Sequence, residues 1–456
     1  MPPWGPDLSY AEPFIGTPDV EVAPTAAARD HGLVRGMGTV SFAANIVNGV
    51  VGGGIFTLPA AVALVAGGAA PAAYIICAVI MAGVVICFAE AGSRVPTSGG
   101  AYGTVEAAFG PATGFVTGML LLVSDVLASG GIAAAVADMV GAAVPALATG
   151  PGRIGVIAAE YVLVLAANLI GVHRTARLIT AVTGAKMVPL LLFLVIGVLT
   201  LGWAAPPGPP ATPFSAGGFG RALILTLFAF SGMESSLCAS GEVRNPARAL
   251  PRALFLGMLY VLGLYVTVQV TAQHLMGPGL AHAAAPLAEG ATRFSPWAGY
   301  VLYAGGGISM LAWLCSDVLS TSRLLFAFGR DGRLPAWFGR ITRTTRVPAN
   351  AIFAYVAVAF SLAVSGGFLE LVVLSTLAVV GIYSLTCAAA VVLQRRQVAF
   401  AGPPLGFSAV PAAAALGLLG MLGMLLSAQW REIGGLAAVI AGSLALFAVM
   451  RQRRPA

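Results

Sequence analysis

What most limits the folds open to this chain is the recurrence of apolar stretches about 20 residues long, the length a helix needs to cross a bilayer's hydrocarbon core. The connections between them are too short to hold a separate aqueous domain. Twelve spans are expected, at 36–66, 71–95, 111–147, 154–172, 178–203, 219–239, 253–274, 297–328, 349–365, 368–393, 407–428 and 433–450. The third and eighth are long enough to require tilt. Charged residues make up 9% of the chain and mean hydropathy is +0.92, whereas soluble domains carry about 25% charged residues. The fold class is an all-α polytopic membrane protein.

The net charge of +7 does not imply a nucleic-acid partner, because the basic residues sit on short loops between spans. With the N-terminus inside, only Arg153, Arg221, Arg293 and Arg431 of the arginines fall outside. That asymmetry is what the positive-inside rule produces, and it requires an even number of spans because Arg451, Arg453 and Arg454 must also lie inside. The expected location is the plasma (inner) membrane, multi-pass, with both termini cytoplasmic. Residues 1–35 are polar, carry no apolar core near the start, and read as a flexible cytoplasmic tail rather than a secretory signal. The five cysteines, Cys77, Cys87, Cys238, Cys315 and Cys387, all fall in apolar segments and give no disulfide framework.

Two of the spans are interrupted. Asn48-Gly49-Val50-Val51-Gly52-Gly53-Gly54-Ile55-Phe56 puts three consecutive glycines in the middle of the first. Each costs a helix roughly 1 kcal/mol relative to alanine, and unwound backbone in hydrocarbon costs more unless it lines a polar cavity. The break implies a use for bare N–H and C=O groups at mid-membrane. In the sixth span, Leu227-Phe228-Ala229-Phe230-Ser231-Gly232-Met233-Glu234 is broken by a Ser-Gly pair and a carboxylate. Five spans separate the two breaks. An odd repeat turns the second copy upside down, so both breaks meet near the midplane, as in inverted-repeat transporters. Close packing of helices through small residues is the plainer reading of the glycines, but it leaves the paired break unexplained.

These residues also carry a family resemblance. Gly52-Gly53-Gly54-Ile55-Phe56 resembles the G-[ST]-G-I-F signature of the amino acid, polyamine and organocation (APC) superfamily, and Pro96-Thr97-Ser98-Gly99-Gly100-Ala101-Tyr102 is similar to its P-x-S-G-G-x-Y loop. Phe228 to Glu234, followed by Glu242-Val243-Arg244-Asn245-Pro246-Ala247-Arg248-Ala249-Leu250-Pro251, resembles its span-six motif and E-x-x-N-P-x-R-x-[IL]-P loop. Ser322-Arg323 with Arg330-Asp331-Gly332-Arg333-Leu334-Pro335 resembles its span-eight ending. The resemblance covers roughly residues 36–350. It implies a LeuT-type 5+5 inverted repeat with broken helices 1 and 6: a first repeat over 36–203, a second over 219–394, an additional pair of spans over 407–450, and a cytoplasmic tail over 451–456. It also implies transport of amino acids or related amines.

The chemistry of the breaks fits that expectation. The half-helix starting near Gly52 offers the N–H groups of Gly52, Gly53, Gly54 and Ile55, and the positive end of a helix dipole, to a carboxylate. Carbonyls near Val50 and those of Phe228, Ala229 and Ser231 suit an ammonium, so the pair fits an α-amino acid zwitterion. The resemblance implies that Phe228 covers the substrate as an outer gate; on its own it is an ordinary core or lipid-facing residue.

Lys186 is the only lysine and lies about 10 Å inside the fifth span by helical rise. A buried lysine can give up its proton where an arginine effectively cannot, which makes Lys186 a candidate proton carrier. The alternative is a structural ion pair or a side chain snorkelling to the surface. The resemblance implies a span-five lysine whose ammonium stands where other members hold sodium and reaches the broken first helix.

Of the intramembrane acids, Glu90, Asp138 and Glu160 read as interfacial or structurally paired. Asp125 and Asp317 fall, by the resemblance, at or beside pocket-facing positions, where they suit the side-chain cation of a basic amino acid or polyamine, or neutralise Lys186. Glu234 matches an acidic family position and reads as a protonation or gating element.

Other chemistries find no support. Gly150-Pro151-Gly152-Arg153-Ile154-Gly155 satisfies G-x-G-x-x-G but follows no strand. There is no Walker A sequence, no H-E-x-x-H and no G-x-S-x-G. No enzyme activity, cofactor or metal is expected; the partners are a small amino acid substrate, the proton and the lipid bilayer. The sequence thus reads as a secondary active amino acid transporter, proton-coupled by alternating access, with a substrate of possible cationic side chain. The rival readings are an amino acid/amine exchanger and, in a different class, a non-transporting membrane receptor.

Overall fold

The computed structural model describes residues 38–95, 100–170, 172–204, 215–236, 243, 246–342, 345, 347–399 and 404–452, without the side chains of residues 41, 172–185 and 246–248. The expected tail over 1–35, the beginning of the Pro96–Tyr102 motif, most of the Glu242–Asn245 segment, Cys238 and residues 453–456 lie outside them.

The described chain is helical almost throughout. The helices are α1 (Thr39–Val50), α2 (Gly54–Ala66), α3 (Ala70–Arg94), α4 (Gly100–Phe109), α5 (Pro111–Ala143), α6 (Gly150–Leu169), α7 (Val172–Leu199) and α8 (Ala216–Phe230). They continue as α9 (Met233–Ser236), α10 (Pro246–Met276), α11 (Pro286–Thr292), α12 (Pro296–Arg330), α13 (Ala349–Ser365), α14 (Phe368–Arg395), α15 (Val410–Leu426) and α16 (Trp430–Gln452). Eight helical stretches among the described residues are long and apolar enough to cross a membrane, and three shorter apolar ones lie at Lys186–Leu199, Ala349–Ser365 and Val410–Leu426. The protein is an all-α polytopic membrane protein.

Several boundaries differ from those expected, for local reasons. The stretch expected at 36–66 is two helices, because α1 stops at Val50 and α2 starts at Gly54. Helix α5, the third expected span, ends at Ala143 rather than 147, where Pro145 at the head of the next turn cannot continue it. Helix α10 begins at Pro246, seven residues ahead of the expected span, with proline at its start. The Gly150–Gly155 segment, expected as an outer loop, is the first part of α6. Helix α4 was not expected from hydropathy. It is bracketed by Gly100 at φ +51° and Gly110 at φ +90°, and Pro111 then opens α5.

The 33-residue helix α5 is the axis of the bundle. It packs against α12, α13 and α14, and its register against two of them is antiparallel. A methyl group added at Gly118 would meet Phe328, and one at Gly131 would meet Val372 and Leu371, while Ser124 and Ser375 exchange hydrogen bonds. Helices α1 and α2 run antiparallel to α8 and α9 in the same way, with Val65 opposite Gly218, Gly54 opposite Phe228, and Gly49 opposite Gly232. The two breaks therefore lie abreast.

One buried and one partly buried ion pair fasten ends of the bundle. Arg94, 2% exposed, bonds Glu90 at 2.8 Å and the Val398 carbonyl at 3.1 Å, while Glu90 accepts from the Phe407 N–H. Arg333 bonds Glu106 at 2.8 Å and lies over the Tyr102 ring.

Candidate functional site

The breaks arise from the residues that form them. Beyond Val50 the backbone turns out of helix at Val51, Gly52 and Gly53, and among the described residues no backbone carbonyl accepts from the N–H groups of Gly53, Gly54 and Ile55. They sit at the positive end of α2, and α2 has no side-chain cap. The glycines are also sterically required. A methyl at Gly52 would lie 2.4 Å from the Trp313 indole, one at Gly53 would press Ile132 and Met310, and one at Gly54 would meet Phe228 at 3.2 Å. In the second break, Gly232 holds φ +105°, a conformation open to glycine and strained for other residues.

A cavity of about 170 Å³ opens on both breaks. Its walls include Val50, Gly52, Gly53 and Gly54 from the first, and Phe228, Ser231, Gly232 and Glu234 from the second. Helix α5 contributes Ser124, Asp125, Ala128 and Ile132; α12 contributes Trp313, Ser316, Asp317 and Ser320; Lys186, Tyr265 and Ser375 complete it. Asn45 and Asn48 carry it along the N-terminal half of α1. Ile55 and Ala229, expected at the site, are fully packed and do not line the cavity. The Phe228 carbonyl, expected to be free for an ammonium, already accepts both the N–H and the hydroxyl of Ser231.

Lys186 is 4% exposed and makes three contacts with the end of α1. Its ammonium donates to the Asn48 side-chain oxygen at 2.6 Å, to the Val51 carbonyl at 2.7 Å and to the Asn48 carbonyl at 3.1 Å. Its partners are carbonyl oxygens, so neither Asp125 nor Asp317 neutralises it.

Those two acids line the same cavity with hydroxyl partners. Thr321 donates to Asp125 at 2.7 Å, and Tyr355 donates to Asp317. Asp317 and Thr321 are one turn apart on the same face of α12, so the partner of Asp125 stands next to Asp317 along that helix. Glu234 accepts from Tyr383 at 2.7 Å and from the Gly232 N–H at 3.0 Å, so it fixes the turn it belongs to.

The other acids divide. Glu90 pairs with Arg94, and Asp138 with Arg153 at 3.0 Å. Glu160 departs from expectation. It is 4% exposed and neither carboxyl oxygen has a hydrogen-bond partner among the described residues. The reason is that α6 starts at Gly150, which puts Glu160 at mid-helix rather than near an end.

Sequence reasoning missed Asn48 as the ligand of Lys186, Trp313 as the lid on Gly52, and the hydroxyl partners Thr321, Tyr355 and Tyr383. Helical spacing held a signal for two of them, since Trp313, Asp317 and Thr321 recur every fourth residue along one face. Asn48 and the two tyrosines needed the tertiary fold.

A family model described as Amino acid permease matches residues 37–439. The relatives include a "Cationic amino acid transporter 4, vacuolar" of Arabidopsis thaliana, 26% identical over 399 residues, covering 83% of this chain and 66% of the relative. A "Branched-chain amino acid permease BcaP" of Lactococcus lactis is 28% identical over 350 residues, 70% of this chain and 74% of the relative. A "Serine/threonine exchanger SteT" of Bacillus subtilis is 27% identical over 321 residues, 67% and 70% of the two chains.

Proposed function

The chain belongs to the amino acid permease family, and from that premise we propose that it is a secondary active transporter of amino acids, coupled to protons and working by alternating access. The observation that carries this reading is the pair of helix breaks lying abreast on one cavity, with Lys186 held on the carbonyls that end α1. The substrate carboxylate binds the free N–H groups at the start of α2, and its ammonium binds carbonyl oxygens across the break. Lys186 gives up and regains its proton as it leaves and rejoins Asn48 and Val51. Phe228, packed on Gly54, is the gate, and Glu234 stiffens the second break.

The proposed architecture is the LeuT-type repeat. Helices α1–α2 and α8–α9 each count as one broken span, and α3, α5, α6, α7, α10, α12, α13, α14, α15 and α16 bring the total to twelve. The two repeats occupy 36–203 and 219–394, with 407–450 as an added pair. The antiparallel register of the broken helices supports this division. The arginine asymmetry supports a plasma-membrane protein with both termini cytoplasmic.

The substrate carries a cationic side chain. Asp125 lies seven residues along α5 from Ile132, and Asp317 seven along α12 from Met310, and both Ile132 and Met310 border Gly53. Seven residues are two turns, about 10 Å, in the same direction because the helices are antiparallel. A carboxylate at Gly53 thus sets a lysine- or arginine-length side chain against the two acids, and the similarity to a protein named as a cationic amino acid transporter agrees.

Obligate exchange is the second reading, favoured by the similarity to a protein named as a serine/threonine exchanger. Uptake into proteoliposomes under an imposed proton gradient, with and without internal substrate, tests both. Gradient-driven accumulation into empty vesicles supports symport, and uptake only with internal substrate supports exchange. Binding without movement overturns transport.

A further inference from the structure

A second cavity, of about 280 Å³, lies away from the substrate cavity, between the start of α5, the end of α12 and the end of α16. Pro111, Gly332, Arg333, Phe447, Met450 and Arg451 line it. Three features of these residues point to one kind of occupant.

The first is charge. Arg333 lines the cavity with its guanidinium fixed by Glu106 and Tyr102. Arg451 is exposed on the last turn of α16, and among the described residues no carboxylate pairs with it. With Glu106 offsetting one of the two arginines, one positive charge remains. The second is the N-terminus of α5. It starts at Pro111 after Gly110, has no side-chain cap, and turns the positive end of a 33-residue helix toward the same space. The third is the apolar wall of Phe447 and Met450, with Phe447 packed on Phe115 at 5.7 Å between ring centroids. Helix α16 has only Glu432 and Ser443 buried; Phe447 and Met450 are half-buried and Leu444, Ala448 and Val449 beside them are exposed, so this wall continues onto an outward-facing apolar surface.

A site with a cationic head and an apolar flank open to the bilayer fits a molecule of the same construction. We propose that this cleft binds an anionic phospholipid, its headgroup phosphate against Arg451, Arg333 and the start of α5, and an acyl chain along Phe447 and Met450. The sequence continues with Arg453 and Arg454, which adds to the basic character of this end. Juxtamembrane arginines attract anionic headgroups electrostatically, and here the cavity gives that attraction a place. The proposal does not rest on the transport reading.

The test uses purified full-length protein in neutral detergent and a phosphatidylglycerol carrying a photoreactive group in its acyl chain. The expected label falls on the peptide containing Phe447 and Met450, and unlabelled phosphatidylglycerol competes while phosphatidylcholine does not. Arg451→Gln, whose side chain is exposed, should unfold at the wild-type temperature and take up about fivefold less label. Equal competition by phosphatidylcholine, label confined to other peptides, or unchanged labelling of Arg451→Gln overturns the proposal. Competition by inorganic phosphate as effective as that by phosphatidylglycerol overturns the lipid assignment and marks a free-anion site.

Discussion

The ammonium of Lys186 donates to the carbonyl oxygen of Val51 at 2.7 Å, and Val51 is the residue at which α1 ceases to be a helix. The only lysine of the chain, carried on α7, thus supplies a partner that the broken span has lost. On the proposed mechanism, loss of the proton from this amine would release the contacts that hold the end of α1.

Lys186→Met should therefore reduce uptake by more than about tenfold, since hydrogen bonds made by a charged donor contribute about 1.5–3 kcal/mol each. Lys186→Arg keeps the charge and gives up the ability to shed it. Its uptake, measured in proteoliposomes across a range of external pH, should lack the rise with acidity that proton coupling predicts for the wild type.

Gly52→Ala places a methyl 2.4 Å from Trp313, and overpacking of this kind costs about 1–3 kcal/mol. Substrate binding measured by thermal shift should be lost in Gly52→Ala and partly regained in Gly52→Ala combined with Trp313→Leu. No recovery in the double variant would mean that the glycine is needed for backbone shape alone.

Asp125→Asn and Asp317→Asn keep shape and remove charge from the cavity wall. Affinity for lysine and arginine should fall by about tenfold to a hundredfold, the range for a hydrogen bond to a charged group, with little change for alanine or serine. Equal loss for neutral and cationic amino acids would refute the side-chain assignment.

Arg94→Ala leaves Glu90 buried without its cation, and breaking a buried pair costs about 3–5 kcal/mol. The thermal unfolding midpoint should drop sharply, whereas Glu90→Leu with Arg94→Met should recover much of it. Both are read by differential scanning fluorimetry in detergent.

Much of the membrane fold was legible because hydrocarbon imposes one rule on every span, and apolar length reports it directly. Helix breaks were legible for the same reason, since Gly52-Gly53-Gly54 and Ser231-Gly232 violate that rule. What escaped depended on neighbours distant in sequence. Helix α4 is too short and too mixed to register as a span, and nothing near Glu160 announces that its carboxyl has no hydrogen-bond partner among the described residues. Asn48 looked like a flank of the glycine run until α7 brought Lys186 to it. Hydropathy locates segments in depth but says nothing of which faces meet, and partners such as Thr321 and Tyr355 are decided by faces.

The close approach of Gly232 to Gly49, where an added methyl would stand 2.6 Å from the opposing oxygen, leaves no slack between the two interrupted spans. The two kinks are in backbone-to-backbone contact, with no side chain between them to act as a spacer. Any residue larger than glycine at position 232 would wedge the interrupted spans apart, so the spacing of the two breaks is set by the absence of a single methyl group.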